Sequence, residues 1–206
     1  VDYFSGNIFS VSKAFEHLGC NVTLAKIPKH IQDADYLILP GVGAFGDGMD
    51  RLYQRGLIEP ILEFSLTERP ILGICLGMQL LLSSSEEFGY HKGLDIIKGE
   101  VSCLPSTKNQ KIPHIGWASL DPRVRSNSKC WDGTILEGVT QEQDLYFVHS
   151  FAANPRNNED WLSSTRFGEH HFCSTLKKGN IYGCQYHPEK SGKVGLSILK
   201  SFLEFT

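Results

Sequence analysis

Two short apolar runs that end in glycine-containing turns limit the folds open to this chain of 206 residues. They are ADYLILPG at 34–41 and PILGICLG at 70–77, and a stretch with helical spacing lies between them. Continuous apolar runs of this length, alternating with helical segments, are typical of strands that are covered on both faces. The pattern predicts an α/β fold with a doubly wound, mostly parallel sheet and helices on both faces.

The first half of the chain yields three further predictions. Apolar spacing predicts a helix from its cap at Ser10 to a stop at Gly19, and a strand is expected at 21–25. Residues 51–66 have helical spacing, with a break or kink expected at the glycine and the proline inside that stretch. LGMQLLLSS is predicted to be the helix that leaves the second apolar run.

From about residue 93 to 161 the pattern changes to short strand-like runs separated by turns, which predicts antiparallel pairing. These runs are LDIIKGEVSCL, KIPHIGWASL and DLYFVHSF. A late strand is expected in IYGCQYHPE, and residues 192–205 are predicted to form a closing helix. The chain contains no internal repeat or linker, so a single domain over 1–206 is expected.

Composition argues against several classes of protein. The 20 basic and 23 acidic residues give a net charge of -3 with no long block of one sign, so nucleic acid is not an expected partner. No apolar run reaches the roughly 18 residues that span a bilayer, and we expect a cytoplasmic protein without membrane attachment. The six scattered cysteines lack zinc spacing, so neither a metal nor a disulfide framework is expected. The opening VDYFSGN resembles the end of a strand, which suggests a start upstream of Val1.

Cys75 ends the second apolar run, between Gly73 and Gly77 and directly before a helix. This is the cysteine version of a nucleophile elbow, in which the glycines allow a tight turn and close packing of helix on strand. The helix N-terminus would favour thiolate over thiol, and the backbone N–H of Leu76 would face an oxyanion formed there. A cysteine in a strand is more often a small buried hydrophobic residue, so the elbow alone leaves both roles open.

QYHPEK at 185–190 supplies the groups that a thiolate nucleophile needs. His187 offers an imidazole as base, and Glu189 offers a carboxylate that can orient it. PGVGAFGDG at 40–48 can present the amide of Gly43 beside that of Leu76 toward a reacting carbonyl, and it lacks the ending of a P-loop. A histidine on a surface loop and an ordinary glycine-rich turn are the alternatives for the two motifs.

Six motifs occur in one order along nearly the whole chain: DYFSGN, PGVGAFGDGM, GICLGMQLL, IPHIGW, YFVHS and QYHPEKSGKVG. Through them the sequence resembles the class I (triad) glutamine amidotransferases, most closely the glutaminase subunits that serve histidine biosynthesis. The resemblance implies that Cys75 is the nucleophile, His187 the base and then the acid, and Glu189 the orienting carboxylate. It implies hydrolysis of L-glutamine to glutamate and ammonia without a cofactor, with an oxyanion hole formed by the amides of Gly43 and Leu76.

The resemblance also implies which residues contact the substrate and a partner. Glutamine would be held by Gln79, by Glu87 and by the backbone of Ser150 and Phe151, although SSEE at 84–87 also suits a solvated helix end. Ammonia would pass through a tunnel into a (β/α)8-barrel cyclase, with which the chain forms a heterodimer. The residues expected to face that barrel are Asn7, His114, Trp117 and Lys190. Trp117 suits a core position equally well, and Lys190 suits a plain surface position.

Two departures from the family pattern leave alternatives open. Phe4 replaces the first glycine of the usual Asp-Tyr-Gly-x-Gly-Asn motif, and the segment 123–131 is less typical of the family. One alternative is a paralogous glutaminase that supplies ammonia to amidate a sugar in surface polysaccharide synthesis. Another is a non-catalytic binding module with the same fold, against which the intact Cys75, His187 and Glu189 argue.

Overall fold

The computed structural model describes residues 1–3, 6–106, 111–122 and 131–204. The strands in these ranges are β1 (Leu37–Gly41), β2 (Ile71–Cys75), β3 (Ser84–Ser85), β4 (His91–Lys92), β5 (Gly99–Cys103), β6 (His114–Ser119), β7 (Asp121–Pro122), β8 (Asp144–His149), β9 (Phe151–Pro155), β10 (Trp161–Phe167), β11 (His170–Lys178) and β12 (Ile181–Cys184). The α-helices are α1 (Ile8–His17), α2 (Pro28–Gln32), α3 (Phe45–Gln54), α4 (Ile58–Ser65), α5 (Leu76–Leu80) and α6 (Gly192–Glu204). Short 3₁₀ turns lie at Asn158–Asp160 and Pro188–Lys190.

The main sheet has the strand order β1-β2-β12-β11-β10-β7. Its first three strands are parallel, and the other three are added in antiparallel pairs. A second sheet has the order β4-β3-β5-β9, and β6 pairs with β8 in an antiparallel ribbon. The predicted α/β class, with an antiparallel section in the second half of the chain, is confirmed. Cys75 lies at the end of β2, which is one of the parallel strands of the main sheet.

Side chains from β2 enter two different cores, because successive residues of a strand point to opposite faces. Ile71 belongs to a cluster that includes residues of α3, α4 and α5. Leu72 and Ile74 belong to a second cluster, with residues of α1 and α6. Burial on both sides explains why the run at 70–77 is apolar without alternation.

The front of the chain differs from prediction in two ways. Helix α1 begins at Ile8, with Asn7 at its N-cap in the left-handed region (φ 74°), so Ser10 is not the cap. Residues 21–25 form no strand within the described part of the chain. Ala25 O accepts a hydrogen bond from the N–H of Asp2 at 2.9 Å, so this segment lies beside the first residues of the chain, and residues 1–3 are not a strand either.

The expected break in 51–66 is confirmed. Helix α3 ends at Gln54, α4 begins at Ile58, and Gly56 adopts φ 62° between them. Pro60 lies in the first turn of α4, where its missing N–H removes no helical hydrogen bond. Helix α3 starts at Phe45, so the glycine-rich segment is shorter as a loop than the sequence indicates.

Helix α5 is shorter than LGMQLLLSS predicts. The carbonyl groups at its C-terminal end accept hydrogen bonds from a later loop instead of from a further helical turn. The N–H of Leu94 donates to Leu80 O and the N–H of Ile97 donates to Leu81 O, both at 2.9 Å. The antiparallel pairing of KIPHIGWASL with DLYFVHSF, the late strand and the closing helix are confirmed. Phe4 and the segment 123–130 lie outside the described residues. No helix in the described ranges is long and apolar enough to cross a membrane.

The two glycines around Cys75 allow the close packing that the sequence predicts. A Cβ on Gly77 would lie 1.6 Å from the backbone oxygen of Leu39 in β1, and one on Gly73 would lie 2.7 Å from the carbonyl of Gly77. Neither neighbour is a flexible side chain, so the backbones themselves would have to separate.

We expect Gly77→Ala to lower the free energy of unfolding by more than about 3 kcal/mol, because the clash is with a sheet backbone. Gly48→Ala is the matched control, since the three atoms nearest to its Cβ would be side-chain ends of Leu76 and Leu80, at 3.2–3.3 Å. This substitution should change the free energy of unfolding by less than about 1 kcal/mol, because alanine has a higher helix propensity than glycine and offsets the tight contact. Urea denaturation of both variants measures the difference, and equal stabilities would contradict the close approach.

Candidate active site

Cys75 is the last residue of β2 and the N-cap of α5, with φ 53° and ψ -109°. A positive φ costs a residue with a Cβ about 1–3 kcal/mol, so the surrounding fold must hold this conformation in place. The residue is only 6% exposed, yet it lines a pocket of about 270 Å³. The geometry is that of a nucleophile elbow, with a thiol that is shielded but reachable.

His187 is fixed from both sides of its backbone, three residues after β12. Its N–H donates to Tyr146 O at 2.9 Å, and its carbonyl accepts from the Ser191 hydroxyl at 2.7 Å. The ring Nδ1 lies 2.8 Å from Oε1 of Glu189, and both side chains are almost completely buried. The side-chain amide of Asn7 donates to the same carboxylate oxygen. These contacts set the direction of the imidazole.

Cys75 and Glu189 act on the charge of that ring. Burial lowers the pKa of His187, but the neighbouring Cys75 sulfur and the Glu189 carboxylate outweigh burial and raise it to about 9. Nε2 of His187 is buried without a hydrogen-bond partner among the described residues. The arrangement therefore favours a protonated imidazole next to a sulfur that can carry negative charge.

The raised pKa predicts that the folded protein loses stability as pH rises from about 6.5 to about 9. An unfolded chain releases this proton near 6.5, so the stabilisation is fully present below that pH and disappears as pH passes through the folded pKa. Denaturation of the wild type and of His187→Gln across this window isolates the contribution. Identical pH dependence in the two proteins would contradict it. In Cys75→Ala, an NMR titration of the His187 ring should give a lower midpoint.

One pocket brings together most of the residues predicted to contact the substrate. The predicted residues that line it are Gly43, Cys75, Leu76, Gln79, Glu87, Ser150 and Phe151. Val42, Val148 and His149 complete the lining. The two remaining triad residues, His187 and Glu189, do not line it but contact one another beneath the surface. Residues from four separate segments thus line the pocket that contains Cys75.

The two predicted oxyanion donors flank Cys75 at this pocket. Leu76 is the first residue of α5, where backbone N–H groups have no partner inside the helix. Gly43 has φ 112° with open space where a Cβ would be, so its peptide can adopt conformations closed to other residues. Because α5 has five residues, we attribute the stabilisation of negative charge to nearby amides rather than to a helix dipole.

Glu87 is held at the pocket by its neighbours. Its Oε2 accepts a hydrogen bond from the N–H of Phe45, the first residue of α3, at 2.7 Å. Its own N–H donates to the hydroxyl of Ser85 at 3.1 Å, and Ser84–Ser85 form strand β3. The alternative of a solvated helix end is therefore wrong, and a half-buried carboxylate faces the pocket.

Gln79 has a different environment from the one the resemblance implies. It is 5% exposed, and its Nε2 donates both to Phe151 O at 2.9 Å and to Gln185 Oε1 at 3.0 Å. Since an amide has two N–H donors, only its oxygen remains to contact a substrate. Gln79 can accept from glutamine but has no donor left for it.

Two residues near the sulfur were missed by the sequence interpretation. Gln185 is fully buried, and its Nε2 lies 3.7 Å from Sγ of Cys75. His149 lines the pocket, with Nδ1 2.9 Å from Phe151 O, and burial lowers its pKa to about 3. Both lie inside the motifs QYHPEK and YFVHS, which was the available signal.

The residues predicted to face a partner divide into two groups. Trp117 is 57% exposed on β6, which excludes its alternative as a core residue, and Lys190 is exposed beside Glu189. Asn7, by contrast, uses its amide on the triad carboxylate. His114 is half-buried, and its ring lies 5.2 Å from that of Phe147 in a stacked pair. Its contact with a partner stays a prediction.

A thiolate held at this pocket can attack an amide carbonyl, and the adjacent imidazolium can protonate the departing nitrogen. Fold and geometry together define an α/β amidase that uses cysteine. The family model described as "Glutamine amidotransferase class-I" matches residues 1–205. The chain belongs to the class I glutamine amidotransferase family.

Relatives within the family are similar over almost the full chain. "Imidazole glycerol phosphate synthase subunit HisH 1" of Legionella pneumophila (strain Paris) is 48% identical over 208 residues, which cover 99% of this chain and 97% of that one. "Imidazole glycerol phosphate synthase hisHF, chloroplastic" of Arabidopsis thaliana is 44% identical over 98% of this chain, but over only 33% of its own length. A solved structure described as "Crystal structure of glutamine amidotransferase" has a TM-score of 0.73 at 15% identity and covers 98% of this chain and 94% of its own, which shows a shared fold.

Proposed function

We propose that this chain is the glutaminase subunit of an imidazole glycerol phosphate synthase, which hydrolyses L-glutamine and delivers the ammonia to a cyclase partner. One observation carries the proposal: the strained Cys75 opens into a pocket beside a histidine that a buried glutamate holds. The 48% identity to a HisH subunit over nearly the full length of both chains supports the same assignment.

In the first step the Cys75 thiolate attacks the side-chain amide carbon of glutamine. Gly43 and Leu76 both line the pocket with the sulfur. The oxyanion that forms would be bound by the amide of Leu76 and, once its peptide turns inward, by that of Gly43. His187, as imidazolium, then gives its proton to the leaving nitrogen, and ammonia departs. Glu189 holds the ring and stabilises its positive charge throughout.

In the second step water hydrolyses the glutamyl thioester. The imidazole of His187 takes a proton from the water, the carbon–sulfur bond breaks, and glutamate leaves while the thiolate is regenerated. The carboxylate of Glu87 provides a negative charge for the α-ammonium group of the substrate. Ser150 and Phe151 line the same pocket and would add backbone contacts to the substrate. For Phe151 this leaves the N–H, because its carbonyl already accepts from Gln79 and His149.

A surface next to the triad supports docking of a partner protein. Ile115 and Trp117 are 61% and 57% exposed on β6, and exposed apolar side chains of this size suit a protein interface. The Trp117 ring contacts Tyr146 edge-on at 5.7 Å, and the Tyr146 ring lies 6.4 Å from that of His187. A partner bound here would receive ammonia before bulk water protonates it. We infer that this partner is a (β/α)8-barrel cyclase that forms a heterodimer with the chain.

Glutaminase activity should be measured with the chain alone, with a histidine-pathway cyclase, and with that cyclase plus its nucleotide ligand. We expect little hydrolysis by the chain alone and strong stimulation by the loaded partner, since the Gly43 peptide must turn inward to complete the oxyanion hole. Full turnover without a partner would contradict this activation. Stimulation by a sugar-amidating partner in place of the cyclase would overturn the proposed acceptor but not the glutaminase chemistry.

A further inference from the structure

We propose that Gln185 is a catalytic residue that donates a hydrogen bond to the sulfur of Cys75 and stabilises the thiolate, with Gln79 as the positioning residue that orients it. The proposal rests on the assignment of Cys75 as the nucleophile in the proposed function. The Cys75 thiolate would then be stabilised by Gln185 in addition to the His187 imidazolium and the nearby backbone amides.

Distance and burial give the first argument. Nε2 of Gln185 lies 3.7 Å from Sγ of Cys75, within the range of an N–H···S hydrogen bond, and the side chain is fully buried. A neutral thiol is a weak acceptor, but a thiolate is charged, and hydrogen bonds to charged groups are stronger. A buried amide donor without a partner costs about 1–3 kcal/mol, so the sulfur is also the group that satisfies Gln185.

The direction of the Gln185 amide follows from a carbonyl group at the pocket wall. Phe151 O can only accept, so the Gln79 atom that lies 2.9 Å from it must be nitrogen. The second N–H of that same nitrogen points to Gln185, 3.0 Å away, and requires an oxygen there. The nitrogen of Gln185 is therefore on the other side of its amide, toward the sulfur.

The carbonyl of Phe151 accepts a hydrogen bond from a second donor as well. This fixes the relay, which we define as the hydrogen bonds that lead from Phe151 O through Gln79 to Gln185. Nδ1 of His149 lies 2.9 Å from Phe151 O and must carry the proton, because the carbonyl has none to give. Both lone pairs of Phe151 O are thus used, by His149 and by Gln79. Neither amide can turn over without breaking a buried hydrogen bond, so the N–H of Gln185 stays directed at Cys75.

The sulfur has a suitable partner in each protonation state. As a thiol, it can donate to Val148 O, which lies 4.0 Å away. As a thiolate, it can only accept, and Gln185 and the His187 imidazolium then both favour it. Gln185 is neutral, so it stabilises the anion without competing for the His187 proton.

The test measures the reactivity of Cys75 toward iodoacetamide in the isolated full chain, across pH, by mass spectrometry of the peptide that contains it. Exposed Cys103 reports on the reagent in the same sample, and buried Cys173 and Cys184 report on unfolding. Gln185→Met, which keeps the bulk of the side chain and removes the donor, should slow alkylation of Cys75 at pH 7 by about three- to tenfold relative to Cys103. The midpoint of the pH profile should move upward by about half to one unit.

Two further variants separate the lost donor from lost packing. Gln185→Glu keeps an oxygen for Gln79 but places no N–H toward the sulfur, and its carboxylate repels the thiolate, so a larger fall is expected. Gln79→Met frees the Gln185 amide to rotate, and a smaller fall in the same direction is expected.

An unchanged rate and pH profile for Cys75 in the variants that keep Cys173 and Cys184 protected would overturn the proposal. If both changes at Gln185 unfold the chain, Gln79→Met decides it by the same criterion. The alkylation readout needs neither glutamine nor the partner. Failure of the proposed function would show separately, as glutamine hydrolysis that survives Cys75→Ala.

Discussion

Cys75→Ala is expected to lower the rate of glutamine hydrolysis by at least about a thousandfold, because it removes the atom that forms the covalent intermediate. The fold should be retained, since one sulfur is lost from the wall of a pocket that is already present. Partner binding should persist as well, because the proposed docking surface lies on β6 and not at the sulfur. Activity is measured in the presence of the partner and its ligand, so that the wild-type rate is at its maximum.

Cys103→Ala is the matched control for this experiment. It makes the same chemical change at an exposed cysteine of strand β5 and should leave the rate within about twofold of the wild type. Near wild-type hydrolysis by Cys75→Ala would refute the assignment of the nucleophile. It would then favour the alternative that the chain is a non-catalytic binding module with the same fold.

Glu189→Gln is expected to lower kcat by about a hundredfold to ten-thousandfold while leaving the volume of the side chain almost unchanged. The carboxylate holds Nδ1 of His187 at 2.8 Å and is itself fully buried. An amide there cannot stabilise the imidazolium, and its NH2 group can hold the ring in the wrong tautomer. The effect should fall on kcat far more than on KM, because Glu189 does not line the substrate pocket.

The control for this variant is Glu159→Gln, an exposed glutamate in a 3₁₀ turn away from the pocket. It should leave both kinetic constants unchanged. The variant Glu189→Gln should also lower the midpoint of the His187 titration, since the carboxylate is one of the two groups that raise its pKa. A drop in kcat without that shift would mean that Glu189 acts through folding rather than through the ring.

The triad was predictable because its members lie in short motifs whose spacing carries the chemistry. Cys75 follows a strand and precedes a helix, and His187 is two residues from Glu189, so local geometry alone brings the last two together. Their meeting with Cys75 depends on β2 and β12 being parallel neighbours in the sheet, which the α/β pattern allows but does not specify.

Other features depend on contacts that no local pattern encodes. Alternation along β6 shows that Ile115 and Trp117 share one face and His114 the other, but not which face is buried. Hydrophobicity would predict that Ile115 and Trp117 face the core. In the structure they face outward, and His114 packs against the rings of Phe147 and Phe167. The relay of Gln79 and Gln185 likewise depends on a carbonyl oxygen 72 residues along the chain from Gln79.

The close approach of Gly77 to the backbone of Leu39 also bears on which substitutions this scaffold would tolerate. The position of Cys75 is set by the backbone of α5 packing directly on the backbone of β1. It therefore depends little on which apolar side chains fill the surrounding core. Substitutions among the neighbouring leucines would reshape the cavity while the sulfur remained in place. Substrate fit and the position of attack are thus separable properties in this scaffold.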